Sequence, residues 1–220
     1  MIYAERVPNR VETIGSVYNP FVWGHPQDTV EKFMLSVAMT GGKHAEHLNH
    51  VTEFIDDLCV AGSPVKSIRS IREKDGHYYL LNLLIRHKIG KYTLMSRMLR
   101  DMAECLVDVT SLSRDALCGI TGFAMKSASL FKLYSDPFAR VAVLDKHTLE
   151  WLSQPKPRTD DQYLQIESIF LERADAADVH PALLNFQLWY STKPRSIWWR
   201  CLRSMTDARK YLARQKQNKT

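Results

Sequence analysis

Apolar residues recur every three or four positions along most of this 220-residue chain, the spacing that places them on one face of an α-helix. In the clearest case, the capping-box-like stretch Asp28-Thr-Val-Glu31 precedes apolar residues at positions 30, 33, 34, 37 and 38. Glycine and proline end the periodic segments at short intervals, and the sequence shows neither paired hairpin strands nor a strand–helix–strand alternation. The pattern predicts an all-α fold with short connections.

The same spacing predicts the positions of the individual helices. They cover approximately residues 28–40, 43–60, 77–87, 92–107, 113–118, 124–135, 146–153, 160–176, 181–191 and 195–215. Segment 77–87 is apolar on nearly every side, which is typical of a central buried helix. In segment 92–107 we expect an inward-facing stripe that consists of Leu94, Met98, Leu99, Met102 and Leu106. Residues 141–144 are among the few with strand-like character.

The composition excludes several classes of protein. With 45% hydrophobic and 25% charged residues, the chain resembles a soluble globular domain rather than a disordered or collagen-like chain. The longest nearly unbroken apolar stretch, residues 78–85, is too short to cross a bilayer, and the N-terminus lacks the apolar core of a secretory signal. We therefore expect a cytoplasmic protein without a membrane partner. The four cysteines are far apart and form no CxxC pair, which argues against a metal knuckle or a disulfide framework.

The positive charge of the chain is concentrated at its C-terminal end. The whole chain carries +6, but residues 192–220 hold nine Lys and Arg against one Asp, so they carry +8 and residues 1–191 carry −2. This segment also contains Trp198, Trp199 and Tyr211. A basic, aromatic segment of this kind is suited to bind a polyanion such as nucleic acid, and a solvated basic helix is the alternative.

Residues 117–149 combine several features that suit chemistry on a nucleic acid. Gly119 and Gly122 predict a tight turn directly before the helix over 124–135. A glycine turn that leads into a helix start offers free backbone N–H groups and a favourable dipole to a phosphate.

Two ionisable residues follow this turn. Lys126 lies two positions, about 200° around the helix, from Ala124, so it points away from the face that carries Ala124, Ala128 and Phe131. Nineteen residues later, Asp145 ends an apolar run and begins a helix. A lysine and an aspartate that meet in a cleft can carry out nucleophilic chemistry at a sugar carbon. On spacing alone, a solvated lysine and a simple N-cap aspartate remain the alternative.

The segment resembles the helix-hairpin-helix DNA glycosylases with a catalytic aspartate, and most resembles their compact archaeal-type 8-oxoguanine DNA glycosylase/AP lyase branch. That branch carries I-x-G-x-G-x-K-x-A-S, then an apolar run that ends in D-x-H. This chain matches it with Ile120, Gly122, Lys126, Ala128 and Ser129, followed by Ala142-Val-Leu-Asp145-Lys-His147. Residues 37–43 resemble the family's early A-G-K turn, and residues 184–189 resemble its late L-x-x-x-L-W element. The resemblance extends over approximately residues 28–191 and is specific at 119–149.

The resemblance implies a role for each matched residue. It makes Lys126 the nucleophile and Asp145 the catalytic aspartate of a DNA N-glycosylase and AP lyase. The expected DNA contacts are Gly119, Gly122 and Lys43, joined by Arg195 and Arg200 of the basic segment, and the expected base pocket contains Gly42 and Trp189. Because an amine must be neutral to attack a sugar carbon, we expect Lys126 to be buried or to lie beside another charge.

The implied architecture is a glycosylase domain over residues 1–191 and a basic extension over 192–220. The domain would consist of two helical lobes with a helix-hairpin-helix motif and a DNA-binding cleft between them. Its partner would be double-stranded DNA that contains a modified base, and we expect a monomer. The implied chemistry needs no cofactor and no catalytic metal, although a hairpin of this kind can hold a monovalent cation.

Two departures from the family leave the substrate open. Ala124 replaces the second hairpin glycine. The chain also runs 29 residues past Ser191, whereas the family usually ends soon after the late Trp, with its terminal lysine near the damaged base. 8-Oxoguanine is the default substrate, because the family that the chain most resembles acts on it. The alternatives are a bulky enzymatically modified base, such as glucosylated hydroxymethylcytosine of phage DNA removed in antiviral defence, and a catalytically silent DNA-binding helical protein.

Overall fold

The computed structural model describes residues 19–40, 45–59, 62–74, 76–105 and 108–218. Within these ranges the regular secondary structure is helical, so the predicted all-α fold is confirmed. The helices described are α1 (Gln27–Thr40), α2 (Ala45–Leu58), α3 (Pro64–Lys74), α4 (Gly76–Arg86), α5 (Tyr92–Glu104), α6 (Arg114–Cys118), α7 (Met125–Ser135), α8 (Lys146–Leu152), α9 (Asp160–Ala176), α10 (Pro181–Ser191) and α11 (Trp198–Gln217). Single 3₁₀ turns lie at Val109–Ser111 and Arg195–Ile197. No described helix has both the length and the apolar character needed to cross a membrane.

The chain divides into two compact helical units. The first contains α1 to α6 and the beginning of α7, and the second contains residues 19–23, the rest of α7 and α8 to α11. The chain passes from the first unit to the second inside α7, after Ala128. Lys126 therefore belongs to the first unit and Asp145 to the second.

In the first unit, the apolar faces of α1 to α5 form the core. Its fully buried side chains include Met34, Leu35, Phe54, Ile55, Ile68, Leu80, Leu84 and Met98. A buried carboxylate joins two of these helices, because Glu31 on α1 accepts hydrogen bonds from the Val65 N–H (3.0 Å) and from the Ser63 hydroxyl. Glu31 thereby pairs with groups at the start of α3, where helical N–H donors lack intrahelical partners. The sequence analysis missed α3, because its few apolar residues stand among charged ones.

The expectation that segment 77–87 is buried on all sides was wrong. Helix α4 buries Leu80, Leu83 and Leu84, but Tyr78 is 78% exposed and Ile85 is 47% exposed. The helix packs against α2, α3 and α5, which cover one side of it. An apolar sequence shows that a helix can be buried, but not how much of its surface its neighbours cover.

Two details of the predicted helices also differ. On α5 the side chain of Leu94 is exposed and that of Met95 is buried, because the buried stripe begins one residue later than predicted. Leu106 lies outside the described residues. Helix α1 begins at Gln27, so Asp28 lies within its first turn instead of preceding it as a cap.

The basic C-terminal helix α11 is packed into the second unit. It buries Cys201, Met205 and Ala208, and the Tyr211 ring lies 6.0 Å from the ring of Trp23. Helix α10 packs against it. Its opposite face, which carries Trp199, is exposed. The segment is thus neither a free tail nor a fully solvated helix.

The N-cap residue of α10 is a half-buried histidine, His180. His180 Nδ1 accepts a hydrogen bond from the Ala182 N–H (3.2 Å), and Nε2 lies 3.0 Å from the Pro137 carbonyl oxygen, to which it donates. Burial lowers the pKa of His180 below its usual value of 6.5. A neutral imidazole suits this position, because one ring nitrogen must accept while the other donates.

Candidate active site

The turn formed by residues 119–124 links α6 to α7 in the first unit. Gly122 has a φ of +90°, a left-handed conformation that favours glycine, and the predicted tight turn before the helix is present. Within the turn itself, however, most N–H groups are already engaged. Five of its six N–H groups donate within the protein, to acceptors on Asp115, Leu117, Asp101, Ile120 and Ser127. The Gly122 N–H has no acceptor among the described residues, so a single N–H of the turn is left to meet a ligand.

A cavity of about 180 Å³ lies beside this turn, within the first unit. Gly122, Ser127 and Lys91 line it, together with apolar residues that include Val37, Ile89 and Met95. Trp189, which is expected in the base pocket, belongs to the second unit and does not line this cavity. Gly42, the other residue expected there, lies outside the described residues.

Lys126 projects into solvent from the first turn of α7. Ala128 and Phe131, which follow on the same helix, are fully buried, so the predicted separation of Lys126 from the packed face is confirmed. Ala124 does not share that packed face, because the helix begins at Met125 and Ala124 is exposed. Of the two settings expected for Lys126, burial or a neighbouring charge, burial is not found, since its side chain is exposed.

Asp145 is the N-cap of α8. Its Oδ1 accepts a hydrogen bond from the Thr148 N–H (2.9 Å), and its own N–H donates to the Val143 carbonyl oxygen (2.9 Å). The side chain is half-buried, and Oδ2 has no hydrogen-bond partner among the described residues. One carboxylate oxygen therefore orients the side chain, while the other is left for a ligand.

The extended segment that precedes Asp145, residues 141–144, is not a β-strand. Side chains of α9 take the place of a partner strand. Glu167 accepts a hydrogen bond from the Ala142 N–H (2.7 Å), and the Tyr163 hydroxyl donates to the Ala142 carbonyl (2.7 Å) and accepts from the Leu144 N–H (3.3 Å). These bonds satisfy buried backbone groups that a sheet would otherwise pair.

Asn185 on α10 adds a second anchor for this region. Its Nδ2 donates to the Val143 carbonyl (3.1 Å) and to Thr148 Oγ1 (3.2 Å), and its Oδ1 accepts from the Tyr134 hydroxyl (2.9 Å). The sequence analysis missed Asn185. A polar residue inside the apolar run Leu183-Leu-Asn-Phe186 was the signal that pointed to it, because buried amides must be hydrogen-bonded.

Trp189 is enclosed along its helix by two neighbours. Its ring stacks on Phe186, with centroids 5.8 Å apart and planes 14° from parallel, and the Lys193 ammonium lies 4.3 Å from its centroid. Phe186 lies on α10 with Trp189, whereas Lys193 follows the end of that helix at Ser191. A base that stacked on the ring where Lys193 lies would have to displace its ammonium.

Two further residues expected to contact DNA, Arg195 and Arg200, lie far from Asp145 in sequence. Arg195 is exposed in a 3₁₀ turn, and the Arg200 guanidinium lies 5.1 Å from the ring centroid of Trp199, which is 58% exposed. Lys43 lies outside the described residues. Among the residues that are described, no three His, Cys, Asp or Glu side chains form a group suited to a metal ion.

Comparison with known proteins adds an independent finding. Over 142 residues the chain is 28% identical to the 8-oxoguanine DNA glycosylase/AP lyase of Metallosphaera sedula, a match over 63% of this chain and 69% of that protein. Over 107 residues it is 37% identical to the protein of the same name from Thermoplasma volcanium, a match over 46% of this chain and 52% of that protein. The chain is similar to 8-oxoguanine DNA glycosylases. No family model and no solved structure matches it.

The similarity is consistent with the resemblance seen in the motif. The two curated relatives carry the name of the family that the motif resembles. The chain spans about half the length of the Thermoplasma relative and just over two thirds of the Metallosphaera relative.

Proposed function

We propose that this protein is a DNA glycosylase with AP lyase activity that excises 8-oxoguanine from double-stranded DNA. The two relatives support an enzyme that acts on DNA. The observation that carries the proposal is the state of Asp145, whose Oδ1 is held by the Thr148 N–H while Oδ2 has no partner among the described residues. A fixed carboxylate with one unpaired oxygen suits the stabilisation of positive charge on a sugar.

The proposed reaction begins with extrusion of the target nucleotide, because its sugar carbon cannot be reached inside the base stack. The Lys126 Nζ forms a bond to C1′ while the glycosidic C–N bond breaks, and the base leaves with the electron pair of that bond. The leaving base takes one proton from the nitrogen. The C1′–O4′ bond then breaks, O4′ takes a proton from water, and a protonated Schiff base is left between Lys126 and C1′. Removal of a C2′ proton then eliminates the 3′ phosphate and nicks the strand.

Asp145 and the surrounding protein would assist these steps. The Asp145 carboxylate would stabilise the positive charge that develops on the deoxyribose. Lys126 is exposed in the free protein, so bound DNA itself would have to exclude water from it. The Gly122 N–H would contact a phosphate, and Lys43, Arg195 and Arg200 would add charge to the DNA-binding surface.

Borohydride trapping tests the nucleophile. The native protein should form a covalent adduct with a duplex that contains 8-oxoguanine, and Lys126→Ala should form none. Lys146→Ala is the matched control, because Lys146 adjoins Asp145 in sequence and is exposed, with only a weak surface pair to Glu150 (3.7 Å). Equal trapping by Lys126→Ala and native protein would rule out Lys126 as the nucleophile.

A panel of duplexes tests the substrate. Single-turnover release should be observed with 8-oxoguanine and should be much slower with hydroxymethylated or glucosylated cytosine. Release of a modified cytosine without release of 8-oxoguanine would show that the substrate is a bulky enzymatically modified base and not an oxidised purine. Tight DNA binding without release of any base would favour the catalytically silent alternative.

A further inference from the structure

We infer that Asn185 is a positioning residue that holds Asp145 in place for catalysis. The inference rests on the proposed function, because it acts through the carboxylate to which that function assigns charge stabilisation. Asn185 does not contact Asp145 through any hydrogen bond that the structure describes. It binds the chain on both sides of Asp145, at Val143 and at Thr148.

The geometry of these bonds requires an amide. Asn185 is 4% exposed, and both of its Nδ2 protons have an acceptor, the Val143 carbonyl at 3.1 Å and Thr148 Oγ1 at 3.2 Å. Its Oδ1 accepts from the Tyr134 hydroxyl at 2.9 Å. The amide nitrogen thus donates twice and the amide oxygen accepts once, as each group must. An aspartate here would lack both donors, and an apolar residue would leave buried polar groups unpaired.

Thr148 is the link between Asn185 and the carboxylate. Its backbone N–H donates to Asp145 Oδ1 at 2.9 Å, and its hydroxyl accepts from Asn185. Thr148 is fully buried, so its side chain has no water with which to replace that bond. Loss of the Asn185 amide would therefore leave the position of Thr148 less fixed. The hydrogen bond from the Thr148 N–H to Asp145 could still form, but in more than one geometry.

Tyr134 fixes the orientation of the Asn185 amide. Burial, and after it the charge of Asp145, raises the pKa of the Tyr134 hydroxyl well above its usual value of 10. Tyr134 therefore stays protonated and donates to Asn185 Oδ1 at any working pH. With Oδ1 engaged there, Nδ2 must face Val143 and Thr148, so the network has one hydrogen-bonding arrangement.

The test compares single-turnover excision rates at saturating DNA on two backgrounds. On the native background, Asn185→Ala should slow excision by at least about tenfold, and Tyr134→Phe, which keeps the Asn185 bonds to Val143 and Thr148, by about threefold. On an Asp145→Asn background, Asn185→Ala should change the rate by less than about twofold, because the charge that it positions is already absent. DNA affinity should stay within about twofold of native for every variant.

A matched control separates positioning from general destabilisation. Trp23→Phe removes a buried hydrogen bond in the same unit, from Trp23 Nε1 to the Leu133 carbonyl (3.3 Å), at a residue with no described contact to residues 143–148. It should lower the melting temperature and leave the excision rate within about twofold. If Asn185→Ala does not fold, Tyr134→Phe on the same two backgrounds gives the answer.

The outcomes distinguish this inference from the proposed function. Equal slowing by Asn185→Ala, or by Tyr134→Phe, on the native and Asp145→Asn backgrounds would overturn the positioning role and leave Asp145 catalytic. A native rate for Asn185→Ala would also overturn it. A native rate for Asp145→Asn, or no excision by the native protein, would overturn the proposed function, and the inference with it.

Discussion

Replacement of Asp145 by Asn and by Ala separates its role as an N-cap from the catalytic role proposed for its charge. The cap is the hydrogen bond from the Thr148 N–H to Oδ1 at 2.9 Å, and an asparagine carbonyl can accept it equally well. Asp145→Asn should therefore change the free energy of unfolding by less than about 0.5 kcal/mol. Asp145→Ala loses the cap and leaves the buried Thr148 N–H unpaired, which costs about 1–3 kcal/mol.

The two substitutions should have the same effect on chemistry. Both remove the carboxylate, and loss of one preorganised electrostatic group typically costs about 3–4 kcal/mol of transition-state stabilisation, or roughly 10²–10³ in rate. DNA affinity should hardly change, because the charge is used only as the base leaves. In a chain of this size each kcal/mol shifts the melting temperature by about 2–4 °C, so Asn should melt close to the native protein and Ala clearly below it.

The measurements are thermal unfolding of the free protein and single-turnover excision at saturating DNA. A rate for Asp145→Asn within about tenfold of native would refute the electrostatic role. A melting temperature for Asp145→Ala equal to that of Asp145→Asn would refute the argument that the cap stabilises α8. The two refutations are independent, since one concerns charge and the other hydrogen bonding.

Three further predictions concern pH, charge and the tryptophan face. The pKa of His180 is lowered in the folded protein, so its contribution to stability is present above about pH 6.5 and is lost as the pH falls through the pKa of the folded state. The melting temperature should therefore fall less steeply below pH 6.5 in His180→Asn than in the native protein. The double variant Arg203→Gln with Arg214→Gln changes the exposed face of α11. It should reduce the slope of the logarithm of DNA affinity against the logarithm of salt concentration by up to about two. An unchanged slope would show that this face does not contact DNA. If a base stacks on Trp189, Lys193→Ser in a catalytically inactive background should raise the preference for an 8-oxoguanine duplex over the matched guanine duplex by about two- to fivefold, since the displaced cation–π contact is worth about 0.5–1 kcal/mol. The lost positive charge weakens binding of both duplexes alike, and an unchanged preference would contradict that stacking.

The structure also decides how the basic segment can be tested. Truncation after Ser191 would remove Cys201, Met205 and Ala208 from the core of the second unit. A loss of DNA binding would then report unfolding as much as lost charge. Point substitutions on the exposed face of α11 change the charge and leave the packing in place.

Local sequence determined most of the helices, though not α3, and the immediate surroundings of the proposed catalytic residues. Lys126 lies away from the packed face because Ala128 and Phe131 recur at helical spacing, and Asp145 is followed by residues that begin a helix, so its N-cap role is readable in the sequence. The glycine at position 122 likewise indicates a turn with a left-handed residue. These features depend on residues within about four positions of each other.

Only the tertiary structure decided how residues 141–144 and α4 are arranged. The strand-like segment 141–144 pairs with no strand, because Tyr163, Glu167 and Asn185, which lie 19 to 42 residues further along the chain, supply its hydrogen-bond partners. Helix α4 is partly exposed because its neighbours cover one side only. Periodicity shows which residues can be buried, whereas burial and long-range pairing depend on which distant surfaces meet, and no short window of sequence contains that information.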